Sequence, residues 1–109
     1  MENKKELGTW LNNYGLEHPL VIAGPCSAET EAQVLKIAHE LKDSDATVLR
    51  AGIWKPRTRP GNFEGVGALG LKWLQKAKEE TGMQITTEVA NANHVDLALK
   101  HDVDILWIG

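Results

Sequence analysis

The stretch VLRAGIWKPRT, from Val48 to Thr58, sets Arg50, Lys55 and Arg57 beside the end of an apolar run, with Arg59 just beyond. Read as a strand, it sends Leu49, Ala51 and Ile53 to one face and Val48, Arg50, Gly52 and Trp54 to the other. Arg50 then points into the interior. A guanidinium inside a sheet costs several kcal/mol unless it is paired, and Lys55, Arg57 and Arg59 repel it rather than pair with it. The partner this arrangement asks for is an anionic ligand, and phosphate or carboxylate matches the donor set. Pro56 removes a ladder donor and ends the strand, which leaves Lys55, Arg57 and Thr58 where strand gives way to loop. The alternative is an exposed basic loop, salt-bridged to the surplus of acidic residues. The residues alone leave both open.

Two further groups carry chemistry. Cys26 follows a short apolar run, and a thiolate near cations is readily ionised and binds divalent transition metals; a lone cysteine serves equally as a small buried apolar residue. Glu88 stands near the end of another run, where a carboxylate can hold Lys55 by charge pairing or position a water. His18, His39, His94 and His101 fall at a strand start or on helices and are read as non-catalytic, with His101 suited to a helix carboxyl terminus. Trp10, Trp73 and Trp107 fit core packing, whereas Trp54 borders the cationic loop. The glycines from Gly61 to Gly70 match neither a Walker loop nor a dinucleotide fingerprint, so no nucleotide is expected.

The elements that must position these groups alternate. Leu7, Trp10, Leu11 and Tyr14 recur at helical spacing and Gly15 ends a short helix, so residues 1–16 read as a helical extension that covers a core. Leu20 to Ala23 reads as a first buried strand, closed by Gly24 and Pro25. Thr30 and Gln33 make a capping box for a helix through Lys42, with Val34, Ile37, Ala38 and Leu41 as its buried stripe. After the cationic strand and a glycine-bearing loop, Val66, Leu69, Trp73, Leu74 and Ala77 give a second helix that ends near Thr81 and Gly82. Gln84 to Val89 reads as a third strand, Asn91 or Asn93 caps a third helix through Lys100, and Asp104 to Ile108 is a fourth strand. Alternation of this kind predicts parallel strands, right-handed crossovers and helices outside. Four such strands leave two open edges, and a closed barrel needs about 250 residues. The expectation is therefore α/β, the first half of a (β/α)₈ barrel, with residues 1–109 as the amino-terminal half of a single domain. An open doubly wound sheet competes with it. Both architectures gather functional groups at the carboxyl ends of their strands, where Cys26, the cationic segment and Glu88 all fall.

Composition narrows the classes. The chain has 109 residues, enough for one core, and a net charge of −3 that argues against a nucleic-acid face. One cysteine forms no internal disulfide, and no apolar run approaches the roughly 20 residues of a membrane span. A reducing, cytoplasmic setting is expected, without a membrane or nucleic-acid partner.

Together the segments VIAGPCSAET, LRAGIWKPRT, TTEV and DILWIG closely resemble the 3-deoxy-D-arabino-heptulosonate 7-phosphate (DAHP) synthases, and in particular the short-chain bacterial subgroup that shares its barrel with 3-deoxy-octulosonate 8-phosphate (KDO-8-phosphate) synthase. The segment from Lys55 to Thr58, KPRT, favours the heptulosonate enzymes. The resemblance implies a metal-dependent transferase that condenses phosphoenolpyruvate with erythrose 4-phosphate in the shikimate pathway of aromatic amino acid biosynthesis, in a homo-oligomer. Carried over by position, Cys26 is one ligand of a divalent metal, with manganese, iron, cobalt and zinc all compatible. Arg50 and Lys55 hold phosphoenolpyruvate, Arg57 and Thr58 hold the aldose phosphate, and Glu88 lines the phosphoenolpyruvate pocket, with Lys55 and Glu88 as the catalytic pair. The remaining metal ligands belong to the second half of such a barrel, so the 109 residues alone are expected to be inactive. A non-catalytic, self-associating anion-binding half-barrel is the reading from a different class.

Overall fold

A computed structural model describes residues 20–54 and 65–108. The expected helix around Leu7 to Gly15, His18, and the segment carrying Lys55, Arg57 and Thr58 lie outside the described residues.

Within them, four strands alternate with three helices: β1 (Ile22–Ala23), α1 (Glu31–Lys42), β2 (Val48–Arg50), α2 (Ala68–Thr81), β3 (Gln84–Val89), α3 (Ala92–Lys100) and β4 (Ile105–Ile108). All strand pairs are parallel, and the order across the sheet is the order along the chain. Ile22 is opposite Val48, Arg50 is opposite Thr86, Thr86 is opposite Ile105, and Glu88 is opposite Trp107. Parallel strands in register point matching residues the same way, so the sheet has two well-defined faces. Leu49, Ala51, Ile53 and Ile85 enter one core with Val34 and Ala38 of α1, Leu71, Leu74 and Ala77 of α2, and Ala98 of α3. All three helices therefore cover one face. A doubly wound sheet has helices on both faces and a reversal of strand order; the described residues show neither, and their architecture is that of successive barrel units.

Local chemistry explains the boundaries. The Thr30 hydroxyl accepts from the Gln33 N–H at 3.1 Å, as the expected box requires, but the Gln33 side chain reaches one residue further back and accepts from the Glu29 N–H at 2.7 Å. Asn91 caps α3 by accepting from the His94 N–H at 2.9 Å, and Gly82 ends α2 with a φ of 75° that favours glycine. The stripe of α2 differs from expectation. Val66 precedes the helix and Leu69 is 54% exposed, while Gly70, Leu71, Trp73, Leu74 and Ala77 are buried. A Cβ at Gly70 would collide with Cγ2 of Ile53. The helix thus lies against β2's exit on its glycine side, which turns Leu69 outward.

β2 is also shorter than its sequence implies. Ala51 still bonds to β3, its N–H donating to the Thr86 carbonyl at 3.3 Å, but from Gly52 onward the main chain turns to loops: the Gly52 N–H donates to the Pro25 carbonyl at 3.3 Å, the Gly52 carbonyl accepts from Ala28 N–H at 2.8 Å, and the Ile53 carbonyl accepts from Gly67 N–H at 2.8 Å. Strand alternation no longer governs Trp54, which packs on the helix-side core instead of sharing the face of Arg50.

Candidate functional site

The site is assembled from strand ends that are held unusually close. Gly24, just after β1, has a φ of 152°, and a Cβ there would collide with the Arg50 carbonyl oxygen. Only a glycine lets the first strand leave the sheet against the backbone of the second. The next residues are then tied to Gly52 by the two hydrogen bonds described above, so Cys26 is carried past the end of β2, where its side chain is exposed. Cys26 and Arg50 occupy neighbouring strand ends on the same rim.

Arg50 lies on the face away from the helices. With Ile22, Thr86, Ile105 and Trp107 it lines an open pocket of about 310 Å³. Its Nε is buried and has no hydrogen-bond partner among the described residues, and the guanidinium carbon lies 5.6 Å from the centroid of the Trp107 ring. The neighbouring hydroxyls are already committed: Thr86 donates to the Ile105 carbonyl at 2.6 Å, and Thr87, on the opposite face, donates to the Ala51 carbonyl at 2.9 Å. These bonds tie β3 to β4 and to the residue just past β2 at the level of the pocket. Glu88 is one step nearer the rim than Thr86 on the same face, half-buried and level with Trp107. No ion pair joins it to Arg50 among the described residues. The pocket thus presents an unsatisfied guanidinium donor among apolar walls, an arrangement suited to a small anion.

The structure corrects the sequence reading of Trp107. Rather than joining the helix-side core, it lines the pocket face beside Arg50. The alternation of β4 already grouped it with Ile105, but the register that sets it beside Arg50 depends on strand pairing that a single sequence does not reveal. Of the residues expected to bind, Arg50, Glu88 and Cys26 gather at one end of the sheet, while Lys55, Arg57 and Thr58 fall outside the described residues. No group of three metal-ligating side chains occurs among the described residues.

Three histidines have visible structural employment. His39 meets Glu80 at 2.9 Å across α1 and α2, and Nδ1 of His101 donates to the Leu97 carbonyl at 2.8 Å as α3 ends. His94, in the first turn of α3, accepts the Ala90 N–H on Nδ1 at 3.1 Å, and its ring stacks flat on Trp54, 3.9 Å between centroids and 5° between planes. Burial lowers its pKa below the ordinary 6.5. This stack ties the end of β2 to the start of α3 beside the rim.

Comparison with known proteins gives the same architecture a lineage. A phospho-2-dehydro-3-deoxyheptonate aldolase from Thermotoga maritima is 38% identical over 89 residues, covering 82% of this chain and 26% of its own length. A crystal structure of phospho-2-dehydro-3-deoxyheptonate aldolase (DAHP synthase) from Thermotoga maritima superposes with a TM-score of 0.74 at 37% identity, covering 83% of this chain and 26% of that one. A 2-dehydro-3-deoxyphosphooctonate aldolase from Acidithiobacillus ferrooxidans is 34% identical over 100 residues, covering 84% of this chain and 35% of its own length. The chain therefore spans about a quarter to a third of the length of these curated relatives. No helix among the described residues is long and apolar enough to cross a membrane. The family model described as the DAHP synthetase I family matches residues 11–109, and with four sequential parallel strands whose carboxyl ends gather Cys26, Arg50 and Glu88, the chain belongs to that family.

Proposed function

We propose that this chain is the amino-terminal portion of a DAHP synthase, which joins phosphoenolpyruvate to erythrose 4-phosphate and releases inorganic phosphate at the entry to the shikimate pathway. The observation that carries this reading is the buried Nε of Arg50, without a hydrogen-bond partner among the described residues, in an open pocket at the carboxyl ends of the strands. Phosphoenolpyruvate brings about three negative charges and the aldose phosphate up to about two more, so cations must offset their repulsion before carbon–carbon bond formation. Arg50 binds the phosphoenolpyruvate anion from the pocket floor. Lys55, five residues further along the chain, adds charge and a proton donor, and Arg57 and Thr58 take the phosphate of the aldose. Glu88, level with Trp107 near the rim, orients the water that adds to the cationic carbon before phosphate leaves.

The donor set also fits one arm of a divalent metal site. Cys26 is exposed on the rim beside β2, and a thiolate ligand suits zinc or iron best, with cobalt and manganese accepted where the other ligands are oxygen or imidazole. A metal held there by Cys26 would supply Lewis-acid polarisation of the aldehyde. Cys26 supplies one ligand, and the others come from outside the described residues.

In the full-length protein, consumption of both substrates should require metal, and Lys55→Ala should lower kcat/KM by roughly a hundredfold or more; full activity in that variant would remove Lys55 from the mechanism. The 109 residues by themselves should show almost no turnover. The octulosonate relatives favour a second reading, KDO-8-phosphate synthase, with arabinose 5-phosphate as the acceptor. KPRT at Lys55 to Thr58 favours the four-carbon aldose, and assay of the two aldoses side by side separates the readings. Phosphate binding without metal, with no turnover of either aldose, would instead support a non-catalytic anion-binding module.

A further inference from the structure

We propose that Trp107 is a positioning residue for Arg50, a platform that holds the guanidinium in place by its ring face while leaving the N–H donors available to phosphoenolpyruvate. This rests on the function proposed above and extends it to a residue outside the expected binding set. A buried or half-buried arginine is ordinarily steadied by a carboxylate, but a carboxylate occupies the same donors an anionic substrate needs and cancels the charge that attracts it. An aromatic face attracts the cation without accepting a hydrogen bond from it. The pocket has that composition. Ile22 and Ile105 are apolar, the Thr86 hydroxyl is spent on the Ile105 carbonyl, no ion pair to Arg50 occurs among the described residues, and the indole centroid lies 5.6 Å from the guanidinium carbon. The tryptophan stands outside the helix-side core, on the same face as the guanidinium. The Glu88–Trp107 register instead sets the indole one step towards the rim from the Arg50–Thr86 level, where it leans over the guanidinium.

The test is steady-state kinetics of the full-length protein with Trp107→Leu and Trp107→Phe. Trp107→Leu should raise the KM for phosphoenolpyruvate roughly tenfold, with kcat and the KM for the aldose phosphate within about twofold, and Trp107→Phe should recover most of the loss. An unchanged KM for phosphoenolpyruvate in Trp107→Leu overturns the proposal. So does an equal rise in both KM values that Phe does not rescue, because that pattern belongs to a general packing role. If Trp107→Leu does not fold, singly, doubly and triply fluorinated tryptophan at position 107 weakens the ring's attraction for a cation with little change of shape. The KM should then climb with each fluorine, and a flat series refutes the platform. If the wild type turns over neither aldose, the function proposed above fails separately, and calorimetric binding of phosphoenolpyruvate to the same variants decides the role of Trp107 by the same ranking.

Discussion

The two faces of this sheet solve opposite problems with the same strands. On the helix side, Leu49, Ala51, Ile53 and Ile85 are essentially inaccessible and meet helix residues that are equally dry. On the other side, Ile22 and Trp107 line a pocket, and Arg50 buries a nitrogen that no described residue satisfies. One face gains stability by removing apolar surface from water. The other leaves a strong donor unmatched, at a cost, until a ligand arrives. The period-two alternation of β2 keeps these demands apart, since neighbouring residues Leu49 and Arg50 answer to different faces. The strand end is thus both a wall of the core and the floor of the site.

Substitutions that act on one face should leave the other alone. Leu74→Ala removes a fully buried side chain of α2 and should cost about 3 kcal/mol in denaturant unfolding of the full-length protein, with the KM for phosphoenolpyruvate unchanged in the folded fraction. A large shift in that KM would mean that the faces are mechanically coupled. Gly24→Ala should cost about 2 kcal/mol because of its positive φ and the collision with the Arg50 carbonyl. Unlike Leu74→Ala, it should also weaken phosphoenolpyruvate binding, since relief of the collision displaces Arg50. The smallest effect concerns His94. Its folded pKa lies below the unfolded value near 6.5, so between the two the unfolded chain binds the extra proton. Its contribution is complete above the unfolded value and is lost as pH falls through the folded one. Melting temperature should therefore drop less between about pH 7.5 and about pH 5.5 in His94→Phe, which keeps a ring against Trp54, than in the wild type. Equal drops would show that His94 does not titrate differently in the two states.

Local rules carried much of this into the sequence. The helix from Glu31 to Lys42 and the strand from Gln84 to Val89 have the bounds their caps, breakers and apolar spacing imply, and the alternation of Val48 to Arg50 already turned Arg50 away from Leu49. What failed depended on distant partners. The orientation of α2 follows from the close approach of Gly70 to Ile53, and the truncation of β2 follows from Gly52 bonding to the β1–α1 loop. Trp107 looked like a core residue because an apolar strand reads alike whether its large side chain faces a helix or a pocket. The stack of Trp54 on His94 joins residues 40 positions apart with no motif to announce it.

The central claim is that Arg50 carries an unmet charge meant for substrate, and thermal unfolding of full-length wild type and Arg50→Met, with and without phosphoenolpyruvate, tests it most directly. Without ligand, Arg50→Met should melt no lower than wild type, because methionine fills the pocket without a stranded donor. With phosphoenolpyruvate, only the wild type should gain stability. A variant that melts several degrees lower without ligand, yet still gains the full increment from phosphoenolpyruvate, would make Arg50 a structural residue and contradict the account.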